Sequence, residues 1–380
     1  MPKIAIIGGG IAGCTTALEL AKQGHKIIIY EQDSDILQGT SARTPGRMGL
    51  GYHYFHSGTA EHYMRQTVEF MQKYSDCFVG SKLTPHLQHG RYFVVKDSLV
   101  ETQELMANYD DVERKFEEIC RTDPSKSIFG TSHLHRTLHR SEFESDIVSE
   151  KVSFAFETEE RLLDWQKFST RLKGEIANYP NIEIRAGSAI SDLSTDKSGK
   201  FLVKQGEIVE KVDYTVNCTW QNIEALDAKL GIGDAHFKKD DPTTAITSRL
   251  KLLAEVDLPE ELKDKHSMFF CVGPHAMFSN LGNGKGRITF APVTNFGTTT
   301  EAKMPEQWER WLKEGLNEKE AKQYGQAIID GVAKYIPKMT DAKLSSVIAG
   351  IVKSRGSVDI SDKDSPFHKR DYSGVEEQQI

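Results

Sequence analysis

Cysteine is scarce and unpatterned in this chain. The five among 380 residues, Cys14, Cys77, Cys120, Cys218 and Cys271, are odd in number, widely separated and never spaced as C-x-x-C. That excludes a secreted disulfide framework and a structural zinc site, and it fits a reducing compartment, read here as the cytoplasm. Long apolar runs are missing too. No stretch approaches the roughly 18 residues a membrane-spanning helix needs, so no transmembrane segment is expected. Positive charge is in deficit, 48 Lys and Arg against 55 Asp and Glu for a net −7, which argues against nucleic acid as a partner. A G-x-S-x-G nucleophile elbow and a Walker phosphate loop are both absent. What the chain does have is length, enough for two domains of about 100–200 residues each. Its 38% hydrophobic and 27% charged residues are an ordinary globular mixture, not that of a disordered or fibrous protein.

The opening forty residues carry the strongest pattern. Ile4-Ala5-Ile6-Ile7 is an unbroken apolar run, as expected of a parallel strand covered on both faces. Gly8-Gly9-Gly10-Ile11-Ala12-Gly13 follows, and Cys14 to Gln23 then places Ala17, Leu18 and Ala21 at helical spacing before Gly24. Lys26 to Glu31 is a second apolar strand ending on an acid. In such a unit Gly8 permits the tight turn, Gly10 lets the backbone approach a pyrophosphate, and Gly13 lets the helix pack closely on the strands. The helix start, with Ile11 and Ala12, offers N–H groups to phosphate. Glu31, with Gln32 beside it, is placed to accept from adenosine ribose hydroxyls and to repel a 2′-phosphate, which disfavours NADP. FAD and NAD both remain open at this point.

The next segment separates them. Gln38 to Phe55 holds Gly39, Thr40, Ser41, Arg43, Gly46, Arg47, Met48, Gly49 and Gly51, a small-residue loop with two cations where an NAD-binding domain would proceed to another helix and strand. This stretch resembles the FAD-dependent oxidoreductases of the D-amino-acid oxidase type, whose corresponding loop wraps the pyrophosphate and the flavin ring. The resemblance recurs at Glu160-Arg161-Leu162-Leu163-Asp164 with the helix and strand after it, at Val212 to Thr219, and at Gly350 to Arg355 with Asp364-Ser365-Pro366. It implies FAD as cofactor, with Thr40, Ser41, Arg43, Gly46, Arg47 and Met48 around it. It also puts Ile190 at adenine and Cys218 and Thr219 on a strand returning to the cofactor. Gly49 stands where some relatives carry a flavin-linking histidine, so no covalent link is expected. Trp220 replaces a usual glycine, which implies a rearranged turn. A glycine-rich loop and last helix would normally follow the D-x-P element. The residues up to Gln378-Gln379-Ile380 show no such pattern, so either the sequence continues or the flavin pocket is closed by other means.

The implied fold class is α/β, a Rossmann-type FAD-binding domain of the glutathione-reductase-like kind with a second, discontinuous α+β substrate domain built on an antiparallel sheet. Residues 1–75, 151–222 and 346–380 would form the FAD domain, and 76–150 with 223–345 the substrate domain. The implied function is transfer of a hydride to flavin N5 from a small amine or amino acid, with a 2-hydroxyacid or alcohol as the alternative. A protein whose FAD is structural, serving assembly or interaction, is a further alternative. The electron acceptor would be O₂ or a quinone- or dye-like molecule.

Candidates for chemistry follow from position. Tyr52 and His53 come just after the glycine loop, where the resemblance puts residues near the flavin ring. Arg249, Lys353 and Arg355 are cations able to grip a substrate carboxylate. Arg355 matches the family's G-x-R position, and Lys353 is the candidate for flavin N5 or the O₂ site. His133, His135 and His139 tempt a metal reading, but Arg136 and Arg140 flank them without an interleaved carboxylate, and no metal is expected.

Overall fold

The computed structural model describes residues 1–81, 83–232 and 246–369. The chain after Lys369, on which the expectation about a flavin-facing last helix falls, lies outside the described residues.

The opening unit forms as the pattern predicts. Strand β1 (Lys3–Ile7), helix α1 (Ile11–Lys22) and strand β2 (Lys26–Tyr30) make a βαβ unit with its strands paired in parallel. A four-stranded parallel sheet grows from it, in the order Tyr214–Asn217, β1, β2, Ile182–Arg185. Alternation explains why β1 and β2 have no polar side. Ile4, Ile6, Ile27 and Ile29 pack with Cys14, Ala17, Leu18 and Ala21 of α1 and with Phe168 and Leu172 of the helix Trp165–Ala177. Ala5, Ile7, Ile28 and Tyr30 face the other way, onto Leu193, Val203 and Val212. Those three belong to an antiparallel three-stranded layer, Asp192–Thr195, Phe201–Gln205 and Ile208–Val212.

The second half is a nine-stranded sheet. Its spine is the antiparallel pair Ile246–Asp257 and Lys343–Arg355, running from Ile246 opposite Arg355 to Asp257 opposite Lys343 with a one-residue register shift between Glu255 and Val256. The pairing is antiparallel throughout except between Gly90–Val95 and Ser267–Cys271, which run parallel. One face buries Phe93, Phe270, Leu250 and Leu252 under the helices Glu306–Glu314 and Glu318–Ala333. The other buries Tyr92, Phe156 and Phe269 under Ser57–Lys73 and Thr102–Thr122.

Hydrogen bonding corrects two of the expected boundaries. Val152–Thr158 pairs with Gly90–Val95, and Lys343–Arg355 pairs with Ile246–Asp257, so both strands sit in the large sheet and not in the nucleotide half. Both strands carry apolar residues on both parities, a pattern that would suit either sheet, and only the distant partner decides.

Candidate functional site

The glycine turn is shaped by close approach. Gly8 sits at φ +107°, and a Cβ there would lie 2.4 Å from the Cys218 carbonyl oxygen. At Gly13 a Cβ would lie 1.9 Å from the Gly8 carbonyl oxygen, so α1 can reach β1 only without a side chain. Gly10 differs, because its added Cβ would have Ser41 Oγ at 3.3 Å as its one neighbour within 4 Å. The backbone there borders open space. Gly10 is the N-cap of α1 and offers no capping side chain, and the first turn holds no acid. The Ile11 N–H donates to Ser41 Oγ at 3.3 Å. The remaining amides of that first turn have no partner within the helix, and with the helix dipole they make a cradle for an anion.

Glu31 completes the cradle. One carboxylate oxygen accepts from the Gly9 N–H at 2.7 Å, the other from the Asp33 N–H at 2.9 Å. Each oxygen keeps a further lone pair, so the clamped carboxylate can still accept from a diol. Gln32 beside it is exposed. The Ser188 N–H donates to the Glu31 carbonyl at 3.3 Å, which carries Ile190 to this edge, half-buried against the cluster around Leu193.

Cys218 and Thr219 close the other side. The Cys218 N–H donates to the Ile7 carbonyl, and the Thr219 hydroxyl to Asn217 Oδ1 at 2.6 Å. Burial pushes the Cys218 thiol up to about 11. Thr40 Oγ1 bonds the Gln221 side chain at 3.3 Å. Trp220 adopts φ +52°, in the left-handed region that favours glycine, and its indole N–H donates to the Ile351 carbonyl at 2.8 Å.

Beyond Ser41 the loop is tied to the rest of the molecule. Gly46, at φ +80°, accepts the Leu163 N–H at 2.7 Å, and Arg47–Met48 pairs antiparallel with Arg161–Leu162. The Arg47 guanidinium donates to the Tyr92 hydroxyl at 2.6 Å and lies 4.5 Å from the Phe269 ring centroid. The Tyr92 hydroxyl in turn donates to Glu160 Oε2 at 2.6 Å, while Glu160 Oε1 accepts the Leu50 N–H at 2.6 Å. Burial raises the Glu160 carboxyl above its ordinary value, against the pull of Arg47 and these two hydrogen bonds.

Several expected site residues make contacts within the protein itself. Tyr52 is fully buried, packed against Tyr92, Tyr109 and Phe156, with its hydroxyl 3.1 Å from His135 Nδ1. It is a core residue. Arg43 reaches away from the glycine turn and donates to the Leu312 carbonyl at 2.6 Å. Lys353 forms a buried ion pair with Glu224, and burial lowers its pKa despite that partner. His53 is half-buried, edge-on to the Tyr54 ring at 5.6 Å. Arg355 ends the long strand, and Arg249, three residues into its partner strand, lies 5.2 Å from the Phe367 ring. His133 and His135 share the Glu113 carboxylate, at 2.7 and 2.9 Å.

Glu160 is the site residue that sequence reasoning missed, although a signal existed. Phe156, Thr158, Glu160 and Leu162 share one parity of an extended segment, and all four are buried. A separate open cleft of about 760 Å³, between residues 79–87 and 281–287, includes none of the glycine turn.

Comparison with known proteins supplies the family and the fold. Residues 3–371 match the DAO family, described as FAD dependent oxidoreductase. The FAD-dependent monooxygenase kojA of Aspergillus flavus is 40% identical over 78 residues, which is 20% of this chain and 18% of that protein. The match thus spans less than a fifth of that relative's length. The L-proline dehydrogenase of P. horikoshii superposes with a TM-score of 0.61 at 16% identity, over 95% of this chain and 86% of that one. The FAD-bound L-alpha-glycerophosphate oxidase of Mycoplasma pneumoniae gives 0.60 at 16%, over 93% and 84%. A nucleotide cradle at the start of α1 and a family match along nearly the whole chain converge, and the protein belongs to the DAO family of FAD-dependent oxidoreductases.

Proposed function

We propose that the chain oxidises a small amine or amino acid with FAD held between the glycine turn, Glu31 and the 40–48 loop. The observation that carries this reading is the Glu31 carboxylate locked onto the Gly9 amide beside an uncapped helix start. In this arrangement Gly10, Ile11, Ala12, Gly13 and Ser41 receive the pyrophosphate, and Glu31 receives the ribose. Ile190, Cys218 and Thr219 border the adenosine side, and Gly46, Arg47 and Met48 border the ring. Bound FAD supplies the hydride acceptor. The protein's task is then to hold the donor C–H in place and keep water out. For the carboxylate of an amino-acid substrate the reading assigns Arg355, whose guanidinium can grip two oxygens at once. His53, half-buried after the glycine loop, borders the ring.

The amine reading draws on the fold shared with L-proline dehydrogenase. A second reading, oxidation of a 2-hydroxyacid or alcohol, draws on the glycerophosphate oxidase of nearly equal TM-score. The electron acceptor is O₂ or a quinone-type molecule, and the place of action is the reducing cytoplasm, in keeping with five unpaired cysteines. Anaerobic addition of amines, amino acids and 2-hydroxyacids to the FAD-loaded protein tests the assignment through loss of the visible flavin band. Bleaching by amines or amino acids is the expected result. Bleaching by hydroxyacids alone selects the second reading, and a flavin that no donor of either class reduces leaves FAD as a structural group.

A further inference from the structure

We infer that Glu160 and Tyr92 are positioning residues that hold the Arg47 guanidinium beside the flavin, so that its charge favours the reduced cofactor. The inference rests on the FAD site proposed above and concerns one part of it.

The argument begins with the count of protons. Tyr92 has one hydroxyl proton, and it goes to Glu160 Oε2. The phenol oxygen therefore has a lone pair free for Arg47, whose Nη1 fills it at 2.6 Å. The second Glu160 oxygen accepts the Leu50 amide of the glycine loop itself. With Glu160 ionised, both carboxylate oxygens act as acceptors and the bonds run from Arg47 through Tyr92 to Glu160. The three groups come from separate parts of the chain. Arg47 and Leu50 belong to the loop, Tyr92 to the large sheet, and Glu160 to the segment leaving that sheet.

Energetics favour such a role. A buried carboxylate is costly unless its oxygens are satisfied and a cation is near, and removing one member leaves the others unmatched. Here Glu160 is 2% exposed. Its compensation is the Leu50 amide, the Tyr92 hydroxyl and the Arg47 charge. Arg47 is further held over the Phe269 ring at 4.5 Å. A cation fixed in this way costs no reorganisation when negative charge develops nearby. The loop Gly46 to Gly49 that carries it is the one the proposed function sets against the flavin ring.

Glu160→Gln tests the direction of the chain without changing shape. Glutamine offers one acceptor and one donor, so it cannot accept from both the Leu50 amide and Tyr92. Acting on its own field alone, loss of a negative charge would make the flavin easier to reduce. Acting through Arg47, it makes reduction harder. The flavin midpoint potential, measured by dye-coupled reduction of FAD-loaded wild type, E160Q, Y92F, R47M and the double variant R47M/E160Q, separates these effects. The expected result is that R47M, E160Q and Y92F each lower the reduction equilibrium by about tenfold, or about 30 mV for a two-electron couple. The double variant is expected to match R47M. A potential that rises in E160Q, stays unchanged, or falls in the double variant by the sum of both effects overturns the inference while leaving the FAD site standing. If the wild-type chain takes up no FAD, the site reading falls and this one with it. Variants are compared after their flavin-free melting temperatures establish that each is folded, and Y92F serves where E160Q does not fold.

Discussion

At the residue scale, several side chains that look functional in the sequence are claimed by partners far along the chain. Lys353 is neutralised by Glu224, and Arg43 is spent on the carbonyl of Leu312. No local pattern announces those contacts, whereas Gly8, Gly13 and Glu31 were legible because turn, helix and acid fall within one βαβ unit. A half-buried histidine gives a pH prediction at this scale. His266 lies 3.3 Å from Glu157. Burial, with Arg91, His89 and His86 nearby, lowers its pKa to about 4 against the opposing pull of Glu157. The unfolded chain therefore binds more protons than the folded one between about 6.5 and 4, and stability falls as pH falls through that window. Glu157, held below the ordinary carboxylate range by Arg91 despite burial, adds its own loss only at lower pH. Thermal denaturation across this range should show a slope that His266→Asn reduces, with the loss on the order of 2 kcal/mol. A flat profile in the wild-type protein would contradict the lowered pKa of His266.

At the scale of elements, helix–sheet spacing decides which glycines matter. Gly331, in the helix Glu318–Ala333, packs so closely on the large sheet that a Cβ would lie 2.1 Å from Phe290 Cδ1. Gly174, in the helix Trp165–Ala177, has nothing within 4 Å of the same position. Gly331→Ala should destabilise by about 1–2 kcal/mol through overpacking, while Gly174→Ala should stabilise by about 0.5–1 kcal/mol through helix propensity and a less flexible unfolded chain. Urea midpoints measure both, and equal shifts of the same sign would mean that the packing is misplaced. Element types were largely readable from periodicity, and strand membership was not. Val152–Thr158 has apolar residues on both parities, a pattern that either sheet accepts.

At the scale of the whole molecule, the two halves are joined near the proposed cofactor loop. Trp220 bonds the Ile351 carbonyl, Lys353 pairs with Glu224, and Arg287 reaches both Glu255 and the Thr44 carbonyl. These ties predict one cooperative melt in which a cofactor stabilises both halves. With free FAD at about 100 times its dissociation constant the gain is about 2.7 kcal/mol. Calorimetry should show a single transition that moves up as FAD is added, and two transitions of which only one moves would contradict the coupling. Among the described residues no helix is long and apolar enough to cross a membrane.

The central claim is that the adenosine end of FAD is anchored by the carboxylate at the end of β2. Titration of FAD into the flavin-free protein, followed by flavin fluorescence, tests it directly when wild type and Glu31→Ala are compared and ADP is used as competitor. The account predicts one FAD per chain, displacement by ADP, and about 10- to 100-fold weaker binding in the variant, the size of a lost charged hydrogen bond or two. A folded variant that binds FAD as tightly as the wild type, or binding that ADP does not disturb, would contradict it.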